Sequence, residues 1–341
     1  MASCFSASLC LCVKVSSPMR PRLLISEAQG FPPAALARLR EVADVIAADL
    51  DRSALEREVG GADILWVRLR HRIDDALLER APRLKIIATP TTGLTHIDLE
   101  AAERRGIRIV CLRGETSFLK EIRATAEHTI GLLLALIRHI PAAAAHVVAG
   151  GWDRDRFQGI ELYEKTVAVV GYGRLGEIVA RYLQAFDCRV VAVDPKPSGT
   201  AVEFCSLEDA LRIADIVTLH VNLTSQSRQF FGAKQFASMR MGSYFINTAR
   251  GELIDEAALL SALRSGRVAG AALDVLCEEH SGGMASHPLV QFAETHSNLL
   301  LTPHIGGCAV EAMQKTEIFL AERLLSALAS RVHIEMTSAA R

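Results

Sequence analysis

The chain has almost no net charge, no long apolar run, no internal repeat and no cysteine framework, and each absence excludes something. Its 38 Lys and Arg are matched by 39 Asp and Glu, a formal charge of −1. No global basic field is therefore available to hold nucleic acid or an anionic membrane, and neither is expected as a partner. The strongest candidate for a membrane span, Thr129 to Ile137, is stopped by Arg138, His139 and Pro141. It is too short to cross hydrocarbon and reads as a buried helix. Eight cysteines scattered over 341 residues do not make a disulfide scaffold, and their isolation suits a reducing, cytoplasmic compartment. Cys10-x-Cys12 could be half of a metal site, but no partner His or Cys pair stands nearby, and no metal is expected.

What is present is an ordinary globular composition, 50% hydrophobic and 23% charged, at a length that suggests about two domains. Residues 1–18 form a separate zone, with three of the eight cysteines, five serines and no acidic residue. Lys14 lies behind the apolar run rather than ahead of it, which argues against a signal peptide. This zone is expected to be a disordered extension, with the fold beginning just after Met19.

From Arg22 to Val110, β-rich runs alternate with helical patterns. Leu23-Leu24-Ile25 precedes Pro33 to Val42, Ile64 to Val67 precedes Asp74 to Arg80, and Leu84 to Ile87 precedes Asp98 to Arg105 and Ile107 to Val110. A second alternation runs from Thr166 to about Leu301. Between them lie an apolar helix, Ala124 to Arg138, and an Ala/Gly segment through Gly151. Alternation at this spacing implies βα units and parallel sheets, so the expected class is α/β with two open parallel-sheet domains. A helix beginning near Ile122 leads into the second, and a helical pattern from Glu311 to Ala329 returns to the first.

Thr166 to Val170 is a continuous β-branched run, as expected for a strand buried on both faces. It ends in Gly171-Tyr172-Gly173-Arg174-Leu175-Gly176, a G-x-G-x-x-G turn followed by an amphipathic helix from Leu175 to Phe186. Gly171 allows the tight turn, Gly173 lets the backbone approach a pyrophosphate, and Gly176 lets helix and strand pack closely. The next strand, Arg189 to Val193, ends in Asp194, eighteen residues beyond Gly176. A carboxylate there accepts ribose hydroxyls and repels a 2′-phosphate, which favours NAD over NADP.

By this point the chain resembles the D-isomer-specific 2-hydroxyacid dehydrogenase family. Ile246-Asn247-Thr248-Ala249-Arg250-Gly251, Gly270 to Val275 followed by Glu278-Glu279, and Leu301-Thr302-Pro303-His304-Ile305-Gly306-Gly307 are similar to three ordered blocks of that family. The resemblance implies a flavodoxin-like substrate domain over residues 19–121, a Rossmann NAD-binding domain over 122–308, and a helical segment, 309–341, on the substrate domain. It also implies a reaction: hydride exchange between NAD and a small D-2-hydroxy acid of phosphoglycerate, glycerate or glycolate type.

In that reading His304 is the general acid/base, since imidazole titrates near neutral pH. Glu279, five residues after Asp274, orients it, with Glu278 as rival. Arg250 offers a planar fork for carboxylate and carbonyl oxygen. Thr248, Ala249 and Asp274 lie near the nicotinamide. Leu69, Arg70, Thr92 and Gly93, on two loops of the first domain, bind the substrate carboxylate through backbone N–H groups. Arg68-x-Arg70 resembles a phosphate-binding loop, the alternative being solvated basic residues at a loop tip. Three positions depart from the pattern: His280 and Asn222 where proline is usual, and Ala309 where threonine is common. The apolar stretch Thr129 to Trp152 implies a homodimer. A non-catalytic NAD-sensing protein of the corepressor type, which keeps the same Arg-Glu-His set, is the competing expectation.

Overall fold

The computed structural model describes residues 20–279 and 283–338, with side chains to residue 329. The expectations for residues 1–18 and for His280 therefore lie outside the described residues.

Two parallel sheets organise the chain. The first is built from β1 (Arg22–Ile25), β2 (Asp44–Ala47), β3 (Ile64–Trp66), β4 (Ile86–Ala88) and β5 (Arg108–Val110), in the order β2-β1-β3-β4-β5. The second contains β6 (Thr166–Val170), β7 (Arg189–Val193), β8 (Glu203–Phe204), β9 (Ile216–Leu219), β10 (Ser243–Asn247), β11 (Val268–Leu273) and β12 (Leu299–Leu301). Its order is β12-β11-β10-β9-β6-β7-β8, again all parallel. The α/β class with two open parallel sheets is therefore what the chain forms.

Each sheet is covered on both faces, and the two-residue period of its strands divides the core. Leu23 and Ile25 face one side of the first sheet with Phe31, Trp66 and, from the last helix, Leu320 and Leu324. Leu24 faces the other with Leu55, Leu65 and Leu77. In the second sheet Val167 and Val169 pack under the helix Ala124–Ile137, through Ile130, Leu133 and Leu136. Ala168 and Val170 pack with Phe231, Phe236 and Phe245 on the opposite face.

Two helix starts in the first sheet's half of the chain follow side-chain caps. Asp74 accepts from Leu77 N at 2.9 Å and Asp98 from Ala101 N at 2.9 Å, so the helices run Asp75–Glu79 and Leu99–Arg104, just inside the sequence pattern. The helix Ile140–Val148, which follows Ala124–Ile137, buries none of its residues against this chain, and Trp152 beyond it is 89% exposed. No single helix among the described residues is long and apolar enough to cross a membrane.

Both sheets reverse direction of winding at one point, between β1 and β3 in the first and between β6 and β9 in the second. Open α/β sheets bind ligands outside the carboxyl ends of the strands at such points. The glycine-rich turn and the Arg68 loop both sit there.

Candidate active site

The glycine turn after β6 is shaped by close backbone approaches. Gly171 has φ 92, and a Cβ there would stand 2.7 Å from the His220 carbonyl. A Cβ at Gly176 would stand 2.0 Å from the Gly171 carbonyl oxygen, so only glycine lets the helix Arg174–Gln184 start this close to the strand. Gly173 is different: a Cβ there would meet open space. The backbone is thus bare on the side where the helix presents its unpaired N–H groups, which suits a pyrophosphate. Asp194 closes the far side, its carboxylate accepting from Tyr172 N and Lys196 N, each at 2.8 Å. The Tyr172 ring stands edge-on to Phe204, and Leu175 packs into the core below. Arg174 donates to the carbonyls of Leu119 (2.9 Å) and Ile122 (3.2 Å), tying the turn to the segment between the domains, and burial pulls its pKa down.

The turn after β10 is held by Asn247, whose amide donates to Arg250 O at 2.8 Å and accepts from Ala249 N at 3.0 Å. Thr248 pairs with Thr129 at 2.8 Å, and Arg250 donates to Ala249 O at 2.6 Å. Burial lowers the Arg250 pKa, opposed by Glu279 and Glu252 and reinforced by Arg113. A guanidinium stays charged throughout the physiological range even so. Its terminal nitrogen lies against Gly93 of the first domain, so close that a Cβ at Gly93 would fall 1.5 Å from it. The neighbouring loop is internally bonded, with Thr91 Oγ1 donating to Gly93 O at 2.8 Å, and Arg113 Nε lies 3.5 Å from Thr92 O.

After β12, His304 adopts a left-handed conformation, φ 54, with its N–H bonded to Asp274 O at 2.8 Å. Its Nδ1 lies 2.5 Å from Glu279 Oε1. Asp274 is almost fully buried and both its oxygens are occupied. Oδ1 accepts from Thr302 Oγ1 (2.6 Å) and Ile305 N (2.8 Å), and Oδ2 from Gly306 N (2.7 Å). This carboxylate shapes the His304 loop. His128 reaches the same group from the long helix, 3.2 Å from Asp274 and 3.1 Å from Thr302.

Arg68 and Arg70 behave otherwise. Arg68 is paired with Glu317 of the last helix at 2.6 Å and donates to Gln29 O at 2.8 Å; Arg70 is paired with Asp49 at 3.2 Å. Glu27 accepts from the backbone N–H groups of Arg68 (2.8 Å) and Arg70 (3.3 Å). Of this loop's expected donors, the Arg70 N–H is therefore committed to a carboxylate of the protein, while the Leu69 N–H carries no such bond among the described residues.

The family model for the D-isomer-specific 2-hydroxyacid dehydrogenase NAD-binding domain matches residues 130–306. A D-3-phosphoglycerate dehydrogenase of Methanocaldococcus jannaschii is 37% identical over 297 residues, covering 85% of this chain and 54% of that protein. This chain belongs to the D-isomer-specific 2-hydroxyacid dehydrogenases. A glyoxylate reductase of Thermofilum pendens is 33% identical, covering 91% of this chain and 92% of the relative. The solved D-lactate dehydrogenase of Aquifex aeolicus, complexed with NAD and lactic acid, is 26% identical with a TM-score of 0.77, covering 92% of this chain and 96% of that one. The chain thus spans about half the length of the phosphoglycerate dehydrogenases it matches and nearly all of the glyoxylate reductase.

As a member of this family the chain carries its NAD-binding domain, and the cleft holds three residues to which sequence reasoning gave no role. Asn247 and His128 brace the Arg250 and His304 loops. His220 follows β9 beneath Gly171, its Nε2 3.0 Å from Thr218 Oγ1 and its Nδ1 buried with no partner among the described residues; burial pushes its pKa down to about 4. Asn247 lies inside the Ile246-Asn247-Thr248-Ala249-Arg250-Gly251 block, but only the turn geometry reveals its bonds.

Proposed function

We propose that this chain is an NAD-dependent dehydrogenase that interconverts a small D-2-hydroxy acid and its 2-keto acid. The observation that supports it most is the His304–Glu279 pair standing in the same cleft as an Arg250 pressed against Gly93. NAD, when bound, supplies the hydride acceptor or donor. Gly171, Gly173 and Gly176 with the backbone of Tyr172, Arg174 and Leu175 hold the pyrophosphate. Asp194 takes the adenosine ribose, and Thr248, Ala249 and Asp274 flank the nicotinamide, Asp274 by fixing the loop beside it. Arg250 binds the carboxylate and carbonyl oxygen of the keto acid, with the N–H groups of Leu69, Thr92 and Gly93 on the opposite wall. His304 gives its Nε2 proton to the carbonyl oxygen as reduction proceeds, and Glu279 stabilises the imidazolium that does so.

Phosphoglycerate, glycerate/hydroxypyruvate and glycolate/glyoxylate are the candidate pairs, in keeping with relatives named phosphoglycerate dehydrogenase and glyoxylate reductase. NADH oxidation measured against a panel of these 2-keto acids tests the reading. Turnover of at least one acid supports it; tight NADH binding with no turnover of any favours an NAD-sensing protein instead. The protein is further proposed to be a cytoplasmic homodimer. The exposed apolar helix Ile140–Val148 and Trp152 supply a face for a second copy. A sedimentation mass near 37 kDa at micromolar concentration would exclude the dimer.

A further inference from the structure

Glu279 sits on the segment between β11, which ends at Leu273, and the helix Pro288–Thr295. The segment is gripped from another element. Glu256, the first residue of the helix Glu256–Arg264, places its carboxylate between the segment's two ends. One oxygen accepts from Cys277 N at 2.7 Å, two residues before Glu279. The other lies 3.1 Å from His287 Nε2, and His287 caps the helix on the return side.

The rest of the arrangement fixes the clamp. His287 Nδ1 accepts from Leu289 N at 3.3 Å, so its ring proton sits on Nε2 and the neutral imidazole already donates to Glu256. Asp255 anchors the helix start by accepting from Ala258 N at 3.0 Å. A Cβ at Gly251 would stand 2.1 Å from the Leu276 carbonyl carbon, so the chain runs directly beneath the segment. Glu252, Glu278 and Arg228 are the other charged groups around Cys277, whose thiol is pushed up to about 11 by burial and by these carboxylates.

We propose that Glu256, with His287 as its second anchor, is a positioning residue for the acid/base pair: it holds both ends of the Glu279 segment so that Glu279 reaches His304. The inference rests on the acid/base reading given above. Two measurements on the full chain test it: the pH profile of kcat/KM in the reductive direction, and the NMR titration of the His304 ring, assigned by its loss in His304→Gln. In Glu256→Ala, kcat/KM falls about 10–100-fold, the scale of a misplaced catalytic group. Its falling limb moves to lower pH, as in Glu279→Gln, and the His304 titration moves with it. NADH affinity by fluorescence stays within about twofold, because the groups for pyrophosphate and ribose lie on other loops and Asp274 keeps its own bonds to Thr302, Ile305 and Gly306. His287→Gln keeps a donor and stays near wild type, whereas His287→Leu behaves like Glu256→Ala. In a Glu279→Gln background, Glu256→Ala adds no further shift. A folded Glu256→Ala with wild-type limb and titration overturns the proposal; if that variant does not fold, equal behaviour of His287→Gln and His287→Leu does so. A wild-type chain that reduces no 2-keto acid defeats the functional reading instead, and the His304 titration still reports whether Glu256 governs the pair.

Discussion

Gly93 lies against the terminal nitrogen of the Arg250 guanidinium, with no room between them for a methyl group. The contact spans the cleft, since Gly93 follows β4 of the first sheet and Arg250 follows β10 of the second. A side chain at Gly93 must push the arginine aside, and the flexible end of a side chain yields cheaply. Gly93→Ala should therefore leave stability within about 1 kcal/mol of wild type. It should also lower kcat/KM for a 2-keto acid by about 10–100-fold through the displaced fork. Urea denaturation and steady-state kinetics check the two halves; a wild-type kcat/KM would mean that Arg250 does not hold the substrate from this position.

The pair Arg68–Glu317 joins the loop after β3 to the last helix, and Glu317 is only 1% exposed. Burial pushes its carboxyl pKa up while Arg68 draws it down, and burial is the larger effect. Breaking such a pair strands the other charge, so Glu317→Leu should cost about 3–5 kcal/mol. The double variant Arg68→Met, Glu317→Leu should recover most of that loss, because two apolar residues leave no buried charge. Equal stability of the single and double variants in urea would show that the ion pair carries no such coupling.

The elements most legible in the sequence were those whose burial is two-sided or whose caps are explicit. Thr166–Val170 is apolar at every position after Thr166, and Asp74 and Asp98 mark helix starts by residue type alone. The edge strand Asp44–Ala47 passed unnoticed because it is mostly exposed and carries little apolar pattern; β8, two residues long, has none to show. Within the candidate site, the five-residue spacing selected Glu279 over Glu278, and Glu279 is the residue bonded to His304. The sequence leaves the loop of Arg68 and Arg70 open between anion-binding and solvated; Arg70 is half-exposed beside Asp49, while the buried partner of Arg68, Glu317, is 249 residues away and no local pattern announces it.

Asp194 carries the cofactor prediction. Its oxygens already accept from Tyr172 N and Lys196 N, so the carboxylate is held in place before any ribose arrives. Asp194→Ala removes the acceptor for ribose hydroxyls and the negative charge that repels a 2′-phosphate. NAD binding should weaken by on the order of 1.5–3 kcal/mol, and exclusion of NADP should relax. The ratio of NAD to NADP dissociation constants reads this directly, and an unchanged ratio would defeat the assignment.

His220 couples stability to pH. Its pKa is pushed down to about 4 by burial, from the ordinary histidine value of 6.5. Above pH 6.5 the ring is neutral whether the chain is folded or not, so it costs nothing. Between 6.5 and about 4 the unfolded chain takes up a proton that the folded chain refuses, and stability falls as pH falls. The full loss is on the order of 3 kcal/mol by pH 4. Urea midpoints at pH 7 and pH 4.5 for wild type and His220→Gln isolate this contribution: the variant should lose less stability on acidification. Parallel losses would show that the buried imidazole is not the group responsible.

The acid/base pair gives the sharpest test. In reduction His304 must start protonated, so activity falls as pH rises and the imidazolium is lost. Glu279 Oε1 lies 2.5 Å from Nδ1, where a carboxylate attracts the charge of the imidazolium. Glu279→Gln keeps the shape without the charge, so the limb should move to lower pH. Oxidation needs neutral His304, and its rising limb should move the same way, since both report one titration. His304→Gln should lose about 10²–10⁴-fold in rate and flatten both limbs, because the proton has no other carrier at that site. Arg250→Lys should raise KM for the keto acid and leave the limbs in place, because its charge persists while its planar fork is gone. Glu278→Gln supplies the control: Glu278 is adjacent in sequence but does not hold Nδ1. If Glu278→Gln shifted the limbs and Glu279→Gln did not, the partner of His304 in solution would be Glu278, and the pairing between Glu279 and His304 would play no part in the chemistry.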